Sequence, residues 1–210
     1  MQGYFKARNN DVVVFDAFYR ENPCGGGYAI ACGLEQVIDY IKNLQFSADD
    51  IRYLQSLNMF DEDFLKYLST FRFSGSIYAI PEGTVMFPRE PFIKVIAPIM
   101  EAQLVETAIL NILNHQSLIA TKAARVCYAA QNDGVMEFGL RRAQGPDSGI
   151  YGARAAVIGG CCGTSRTDFQ HSGQRHTRPQ LDHEFSGRVH RIQNICRAIS
   201  KCLHSAGRYL

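Results

Sequence analysis

The sequence has 210 residues, of which 46% are hydrophobic, and 22 Lys and Arg against 20 Asp and Glu give a formal net charge of +2. This length and apolar content suffice for one ordinary domain or two small ones, and they exclude a disordered chain, a collagen-like repeat and a disulfide-bonded mini-protein. The charge is unevenly distributed: residues 1–165 carry 14 basic and 17 acidic side chains, whereas residues 166–210 carry eight and three. Five of the six histidines also lie in those last 45 residues.

Hydropathy and cysteine usage indicate the cellular compartment. No run approaches the roughly 20 apolar residues that a membrane-spanning helix needs, and the amino-terminal MQGYFKARNND lacks the apolar stretch of a secretory signal. The seven cysteines are an odd number. Cys24, Cys32 and Cys127 lie in hydrophobic surroundings typical of buried free thiols, and Cys161 and Cys162 are adjacent. We therefore expect no membrane span, no disulfide framework, and a reducing cytoplasm as the compartment.

The first 75 residues have the pattern of one strand and three helices. Residues 11–19, rich in Val and Phe, are typical of a strand, and the RENPCGGG run after them is typical of a turn. Apolar residues at helical spacing predict an amphipathic helix over 29–44. Ser47 resembles the N-cap of a second helix, with acidic residues in its first turn, and Asp61 opens a third.

Two further strands are predicted at about 76–80 and 92–96. The stretch between them, PEGTVMFPREP, is broken into turns by its prolines and glycine. Glu82 and Glu90 flank these turns and have the pattern of solvated carboxylates.

The longest regular segment follows these strands. Apolar residues on most faces predict a helix over 98–131 that is buried on several sides, with a break near His115–Ser117. His115 itself is expected to be a satisfied core histidine rather than a ligand. Residues 135–140 are typical of a short buried strand, then a loop, a small-residue helix at 151–160, and a turn or strand start. This succession favours parallel β/α units.

The segment from Glu137 to Ser165 has the highest density of candidate chemistry. Arg141 and Arg142 leave a predicted strand at its carboxyl end, the edge at which β/α barrels place their sites. The planar guanidinium pairs bidentately with carboxylate or phosphate, so both residues suit an anionic substrate. The alternative is a surface salt-bridge pair, and spacing alone does not decide between the two. Glycines in the IGGCCGTS run could cradle phosphate, but without a GxxxxGK[ST] motif this is a weak indication.

Residues 166–210 combine histidines and cysteines with many arginines. Their spacing matches no zinc motif with two ligand pairs, so no metal site is expected. Apolar residues at helical intervals among the arginines predict a basic amphipathic helix, which could bind nucleic acid or an acidic partner. The competing interpretation is that this tail was never selected as protein sequence.

Several longer motifs carry a family resemblance. They are MQGYF at the start, FYRENPCGGGYAIACGLEQVIDYI at 18–41, YAIPEGTVMFPREPFIKVIAPIMEAQLVET at 78–107, and EFGLRRAQGPDSG followed by IGGCCGTS within 137–165. Over residues 1 to about 165 the sequence resembles nicotinate phosphoribosyltransferase, the enzyme that makes nicotinate mononucleotide for NAD synthesis. The RRAQGPD run resembles this nicotinate branch more than the related quinolinate and nicotinamide enzymes.

The resemblance implies an α/β fold in two parts. Residues 1–97 correspond to the amino-terminal α/β domain of the family. Residues 98–165 correspond to a long helix and the opening units of an irregular β/α barrel, which is incomplete here. Residues 166–210 form a basic tail without counterpart in the family.

The resemblance also implies the substrates and the residues that bind them. Family members are homodimers that join nicotinate to phosphoribosyl pyrophosphate with the help of ATP and Mg2+. Matched by motif, Phe138 would stack on the pyridine ring, and Arg141 would meet the substrate carboxylate or the phosphoribosyl group. Arg20 would reach phosphate across the dimer interface.

The tail has a further explanation in the light of this resemblance. With free choice of synonymous codons, residues 175–210 read one base later can give a sequence that begins GTRAHSW. That string resembles the next family segment, whose histidine is phosphorylated by ATP. We therefore expect a frameshift from about Arg166 and a truncated, inactive polypeptide that carries no catalytic residue. The alternative is a non-enzymatic protein that binds nucleic acid or an acidic partner through the basic tail. Nucleic acid is not an expected partner, because the tail more readily marks where the enzyme sequence ends.

Overall fold

The computed structural model describes residues 1–131 and 133–164. The predicted tail helix, with its metal and nucleic-acid alternatives, lies outside the described residues. The chain divides into two compact units, and the domain boundary predicted at residue 97 stays a prediction. The first unit comprises Met1–Phe18, Leu34–Ala79 and Pro91–Ile112, and the second comprises Tyr19–Gly33, Ile80–Glu90 and the described residues from Leu113 onward.

Short strands and helices of varied length alternate along the chain. In chain order they are α1 (Gln2–Lys6), β1 (Val12–Ala17), β2 (Ala29–Ile30), α2 (Leu34–Asn43), α3 (Ala48–Ser56), α4 (Glu62–Ser69), β3 (Ser76–Ala79), β4 (Val85–Met86), β5 (Ile93–Pro98), α5 (Ile99–Ala129), β6 (Met136–Glu137), α6 (Pro146–Ile158) and β7 (Gly163–Thr164). We term the 3-10 turn at Leu140–Arg142 the arginine turn. Among the described residues, no helix is both long enough and apolar enough to cross a bilayer.

An antiparallel sheet in the order β1-β5-β3 organises the first unit. Val14 lies opposite Ile96, and Ile77 lies opposite Val95, so the central strand is paired on both sides. Alternate residues of β5 are buried, because side chains on a strand point to opposite faces: Ile93, Val95 and Ala97. The three strands predicted for this region are confirmed.

The predicted N-cap at Ser47 is also confirmed. The Ser47 hydroxyl accepts from the backbone N–H of Asp50 at 3.2 Å, and the Asp50 carboxylate accepts from the backbone N–H of Ser47 at 2.8 Å. These reciprocal bonds form a capping box, which satisfies two backbone donors at the start of α3.

Helix α5 runs without interruption for 31 residues, so the predicted break near His115–Ser117 is wrong. The segment contains neither glycine nor proline, the residues that usually kink a helix. The polar side chains that suggested a break instead bind groups outside the helix. His115 contacts Ser148, and Ser117 contacts the backbone of Cys32.

The second unit contains two small strand pairs. Strands β2 and β4 are antiparallel, whereas β6 and β7 are parallel and are connected through α6. A strand, a helix and a parallel strand form one β/α unit, as the sequence predicted. Strand β4 was not predicted, because the prolines and the glycine around it favour turns.

The helix predicted over 29–44 begins too early. Residues Ala29–Ile30 are a strand, and the helix covers only Leu34–Asn43. Gly33 separates the two with a φ of 107°, a left-handed conformation that glycine adopts at little cost. The apolar pattern continues through the strand and the helix, which is why periodicity alone does not place this boundary.

The strand predicted as buried over 135–140 is shorter and more exposed. It covers only Met136–Glu137, and the side chains of Met136 and Leu140 are 53% and 44% exposed. The following helix begins at Pro146 rather than near residue 151. Proline suits the first turn of a helix because its missing N–H is not needed there.

Gly159, at the end of α6, packs directly against α5. A Cβ atom added to Gly159 would lie 2.7 Å from the Cβ of Ala123 and would collide with the carbonyl oxygen of Ala120. This close packing explains why position 159 is glycine, and a phosphate-binding role is not needed to explain it.

We expect Gly159→Ala to lower the free energy of unfolding by about 1–3 kcal/mol, because backbone atoms of α5 must move to admit the methyl group. Urea denaturation followed by circular dichroism measures the change. Gly27→Ala is the matched control, since a Cβ atom there meets nothing within 4 Å. Equal stability of the two variants would contradict the packing described for Gly159.

Candidate functional site

Parallel strands β6 and β7 bring chemically active side chains to one edge of the second unit. Both strands end at this carboxyl edge, with Glu137 closing β6 and Thr164 closing β7. The Thr164 hydroxyl donates to Glu137 Oε2 at 2.7 Å, and the backbone N–H of Gly139 donates to Glu137 Oε1. The Glu137 carboxylate therefore ties together the two strands and the start of the arginine turn.

The arginine turn presents two guanidinium groups beside this edge. The turn is closed by backbone hydrogen bonds from Arg142 N–H to Gly139 O at 2.8 Å and from Ala143 N–H to Leu140 O at 3.1 Å. Arg141 and Arg142 are both exposed. Within residues 1–131 and 133–164, no acidic side chain forms an ion pair with either of them. The salt-bridge alternative from the sequence therefore has no support among these residues, and the two cations remain accessible to a small anion.

The structure places Phe138 and Arg141 on one short segment, and Arg20 on another. Phe138 directly follows β6 and is 64% exposed, so this ring is not part of the core. Arg20 lies in the turn after β1, also exposed, and belongs to the second unit like the other two. The binding roles of all three residues stay predictions.

A half-buried polar network that the sequence did not predict lies elsewhere in the second unit. Arg154 of α6 forms two hydrogen bonds with Glu82, at 2.9 Å to Oε1 and 2.7 Å to Oε2. Glu82 Oε1 also accepts from the backbone N–H of Gly33 at 2.6 Å, and Arg154 Nη1 lies 3.4 Å from Gln116 Oε1. The side chains of Arg154 and Glu82 are only 14% and 18% exposed. The prediction of a solvated carboxylate at Glu82 is therefore wrong.

Hydroxyl groups of α5 bind the backbone of the segment 28–33, which contains β2. Thr121 Oγ1 accepts from the backbone N–H of Ile30 at 2.9 Å. Ser117 Oγ accepts from the N–H of Cys32 and donates to the carbonyl of the same residue, both at 3.0 Å. The helix thus supplies side-chain partners where a neighbouring strand would supply backbone ones. Ser117 and Thr121 lie four positions apart, and so on one face of the helix, with only apolar residues between them, which is the sequence signal that could have identified this contact.

His115 has a side-chain partner, as predicted, but it is half-buried rather than part of the core. Its Nε2 lies 3.0 Å from the hydroxyl of Ser148 in the first turn of α6. Burial lowers the pKa of His115, because desolvation disfavours the charged imidazolium.

The cysteines occupy different environments. Cys32 is buried, and burial together with the nearby Glu82 carboxylate raises the pKa of its thiol to about 12. Cys127 is half-buried, whereas Cys24 is exposed, so the prediction of a buried Cys24 is wrong. A left-handed backbone at Cys24, with φ of 55°, belongs to the exposed turn over Pro23–Gly25 and carries the side chain outward.

The resemblance implies that Mg2+ accompanies the reaction. Among the described residues, no three His, Cys, Asp or Glu side chains lie close enough together to hold a metal ion. Glu137, the carboxylate at the strand edge, is engaged with Thr164 and Gly139. The described side chains therefore do not build a metal site of their own.

Comparison with known proteins gives a consistent result. Residues 1–114 match the N-terminal domain of nicotinate phosphoribosyltransferase (NAPRTase). The chain is 45% identical over 164 residues to a nicotinate phosphoribosyltransferase of Mycobacterium tuberculosis, covering 78% of this chain and 35% of the relative. It is 45% identical over 152 residues to the nicotinate phosphoribosyltransferase of Bacillus subtilis, covering 72% of this chain and 31% of the relative.

A solved structure extends the likeness to the fold. The crystal structure of human nicotinic acid phosphoribosyltransferase matches with a TM-score of 0.74 at 31% identity, over 83% of this chain and 37% of the human one. The predicted α/β fold is thereby confirmed. The chain spans about a third of the length of the curated relatives that it matches. This chain belongs to the nicotinate phosphoribosyltransferase family.

Proposed function

We propose that the chain serves nicotinate phosphoribosyl transfer in NAD biosynthesis, with the carboxyl edge of β6 and β7 as its anion-binding site. The reaction would join nicotinate to phosphoribosyl pyrophosphate with consumption of ATP. The observation that carries the proposal is the pair of exposed guanidinium groups on the arginine turn, to which no described acidic side chain is paired. Both substrates are anions, and guanidinium groups bind carboxylate and phosphate in two parallel hydrogen bonds.

The proposed roles follow from what each side chain can do. Arg141 would bind the nicotinate carboxylate or a phosphate of the donor, and the exposed ring of Phe138 would stack on the pyridine ring. Glu137 would keep this segment in place through its bonds to Thr164 and Gly139. The chemistry is displacement of pyrophosphate from the ribose anomeric carbon by the pyridine nitrogen, so the main contribution of these residues is orientation and charge neutralisation. Mg2+ would supply further neutralisation of the pyrophosphate charge when bound with the donor.

Partners and compartment belong to the same proposal. We propose a homodimer in which Arg20 reaches phosphate of the neighbouring subunit's site. We also propose the cytoplasm as the compartment, since the five described cysteines are all free thiols, as a reducing environment would keep them.

Arg141→Ala tests the anion site. We expect the affinity of the 210-residue chain for nicotinate and for inorganic pyrophosphate to fall by about tenfold or more, because one charge-assisted bidentate contact is lost. Isothermal titration calorimetry measures both dissociation constants. Arg52→Ala is the control, since Arg52 lies on α3 and is also exposed. Unchanged affinities in Arg141→Ala would remove the assignment.

The chain by itself is expected to form no nicotinate mononucleotide. Residues 166–210 do not contain the GTxAHSW motif that carries the phosphorylated histidine of the family, and their sequence does not resemble the family there. The assay combines the purified chain with nicotinate, phosphoribosyl pyrophosphate, ATP and Mg2+, and follows the product by liquid chromatography. A complete bacterial family member is the positive control, and product formed by the chain alone would overturn this expectation.

A further inference from the structure

Helix α6 packs through a face that offers little to fix its position. Its buried residues are small: Gly149, Gly152, Ala153, Ala155 and Ala156, with Ile158 near its end. A Cβ atom added to Gly152 would lie only 3.2 Å from Ile119 Cδ1 of α5, so the two helices approach closely. The relative orientation of two packed helices is usually fixed because side-chain ridges of one helix fit into grooves of the other. A face of glycine and alanine allows close approach but has low ridges, so few side chains interdigitate to fix the rotation of the helix.

Arg154 supplies the directional contact that this face lacks. Its guanidinium meets Glu82 through two nearly parallel hydrogen bonds of 2.9 and 2.7 Å, a geometry that only one relative orientation of the two groups satisfies. Glu82 is held in turn by the backbone N–H of Gly33 at 2.6 Å. Gln116 of α5, which is fully buried, lies 3.4 Å from Arg154. The single arginine of α6 is therefore fixed from three segments of the second unit.

The position of α6 determines where the arginine turn lies. The helix contacts the arginine turn and both strands β6 and β7. Only residues 143–145 separate Arg142 from the first residue of α6, so a rotation or shift of the helix must move the turn. At the helix start, Ser148 provides a second contact through His115.

We propose that Glu82 and Arg154 are positioning residues of the anion site: their half-buried bidentate pair sets the rotation of α6 and thereby the placement of Arg141 and Arg142. This inference rests on the proposed function, which supplies the identity of the anion. The pair does not touch the substrate and acts through the helix. If the pair served stability alone, any substitution that left the free energy of unfolding unchanged could replace it, since buried ion pairs often contribute little net free energy. The positioning role instead demands the planar fork of arginine, which lysine lacks.

The test compares Arg154→Lys and Glu82→Asp with a variant that is destabilised elsewhere. Both substitutions keep the charges but disrupt the bidentate geometry, so the chain is expected to fold. Gly75→Ala is the matched control in the first unit, where the added Cβ atom would lie 2.5 Å from the Cβ of Ala97. Amide hydrogen exchange of residues 139–149 reports the arginine turn and the start of α6. Calorimetry with inorganic pyrophosphate reports the anion site.

We expect amides 139–149 to exchange about tenfold faster in Arg154→Lys and Glu82→Asp than in the control, and pyrophosphate affinity to fall by about tenfold. Equal exchange in Arg154→Lys and Gly75→Ala would overturn the positioning role. Faster exchange with unchanged pyrophosphate affinity would overturn the link to the anion. If the original chain binds no pyrophosphate through Arg141, the proposed function fails, while the exchange result still decides whether the pair positions α6.

Discussion

Arg154→Met is expected to lower the free energy of unfolding by about 3–5 kcal/mol, a large share of the total stability of a small domain. The reason is electrostatic: the change leaves the negative charge of Glu82 in a site where its side chain is only 18% exposed, without the guanidinium that compensates it. Desolvation of a carboxylate that has lost its cationic partner costs several kcal/mol, and neutral donors such as the backbone N–H of Gly33 do not replace the missing positive charge. Urea denaturation followed by circular dichroism measures the loss.

A double variant separates the charge from the packing. Glu82→Leu combined with Arg154→Met removes both charges and keeps apolar volume, so it should recover part of the stability that Arg154→Met loses, although the backbone N–H of Gly33 loses its acceptor. The matched control is Arg52→Met, because Arg52 pairs with Asp49 on the surface, where the two side chains are 75% and 81% exposed. Removing such a surface pair should change stability by less than about 1 kcal/mol. A loss in Arg154→Met no larger than in Arg52→Met would contradict the buried pair.

Features that depend on neighbouring residues in the chain could be predicted from the sequence. The capping box at Ser47 and the strand Val12–Ala17 follow from side chains within a few positions of each other. The parallel β/α unit could also be predicted, since a helix between two short apolar segments is the pattern of such a unit. Arg141 was likewise expected directly after a strand; the strand ends at Glu137, and Arg141 lies in the turn that follows it.

Features that depend on distant partners could not be predicted. Glu82 has the local pattern of a surface carboxylate, and nothing nearby indicates that Arg154, 72 positions later, would enclose it. Residues Ala29–Ile30 have helical periodicity, yet they pair with β4 and with hydroxyls of α5. Exposure of β6 was mispredicted because an apolar run is ordinarily buried. In each case tertiary contacts overrode a local preference.

Ser117→Ala is expected to lower the free energy of unfolding by about 2–4 kcal/mol, because it leaves two backbone groups of the buried Cys32 without their hydrogen bonds. Thr121→Val keeps the shape of the side chain but removes the acceptor of the Ile30 N–H, for an expected loss of about 1–3 kcal/mol. A valine or alanine at these positions favours the helix itself at least as well as the hydroxyl residue, so the loss would come from the segment 28–33. Urea denaturation measures both values, and amide exchange at Ile30 and Cys32 locates the effect.

Thr70→Val is the matched control for the loss of a threonine hydroxyl. Thr70 lies at the end of α4 and is exposed, and its hydroxyl donates to the carbonyl of Tyr67 at 3.2 Å. Water can replace that bond, so its removal should change stability by less than about 0.5 kcal/mol. Because Ser117 and Thr121 hold the same segment 28–33, the double variant should lose less than the sum of the single losses. Strict additivity would mean that the two hydroxyls act independently, and equal losses in Thr121→Val and Thr70→Val would contradict the role of α5 in holding the segment.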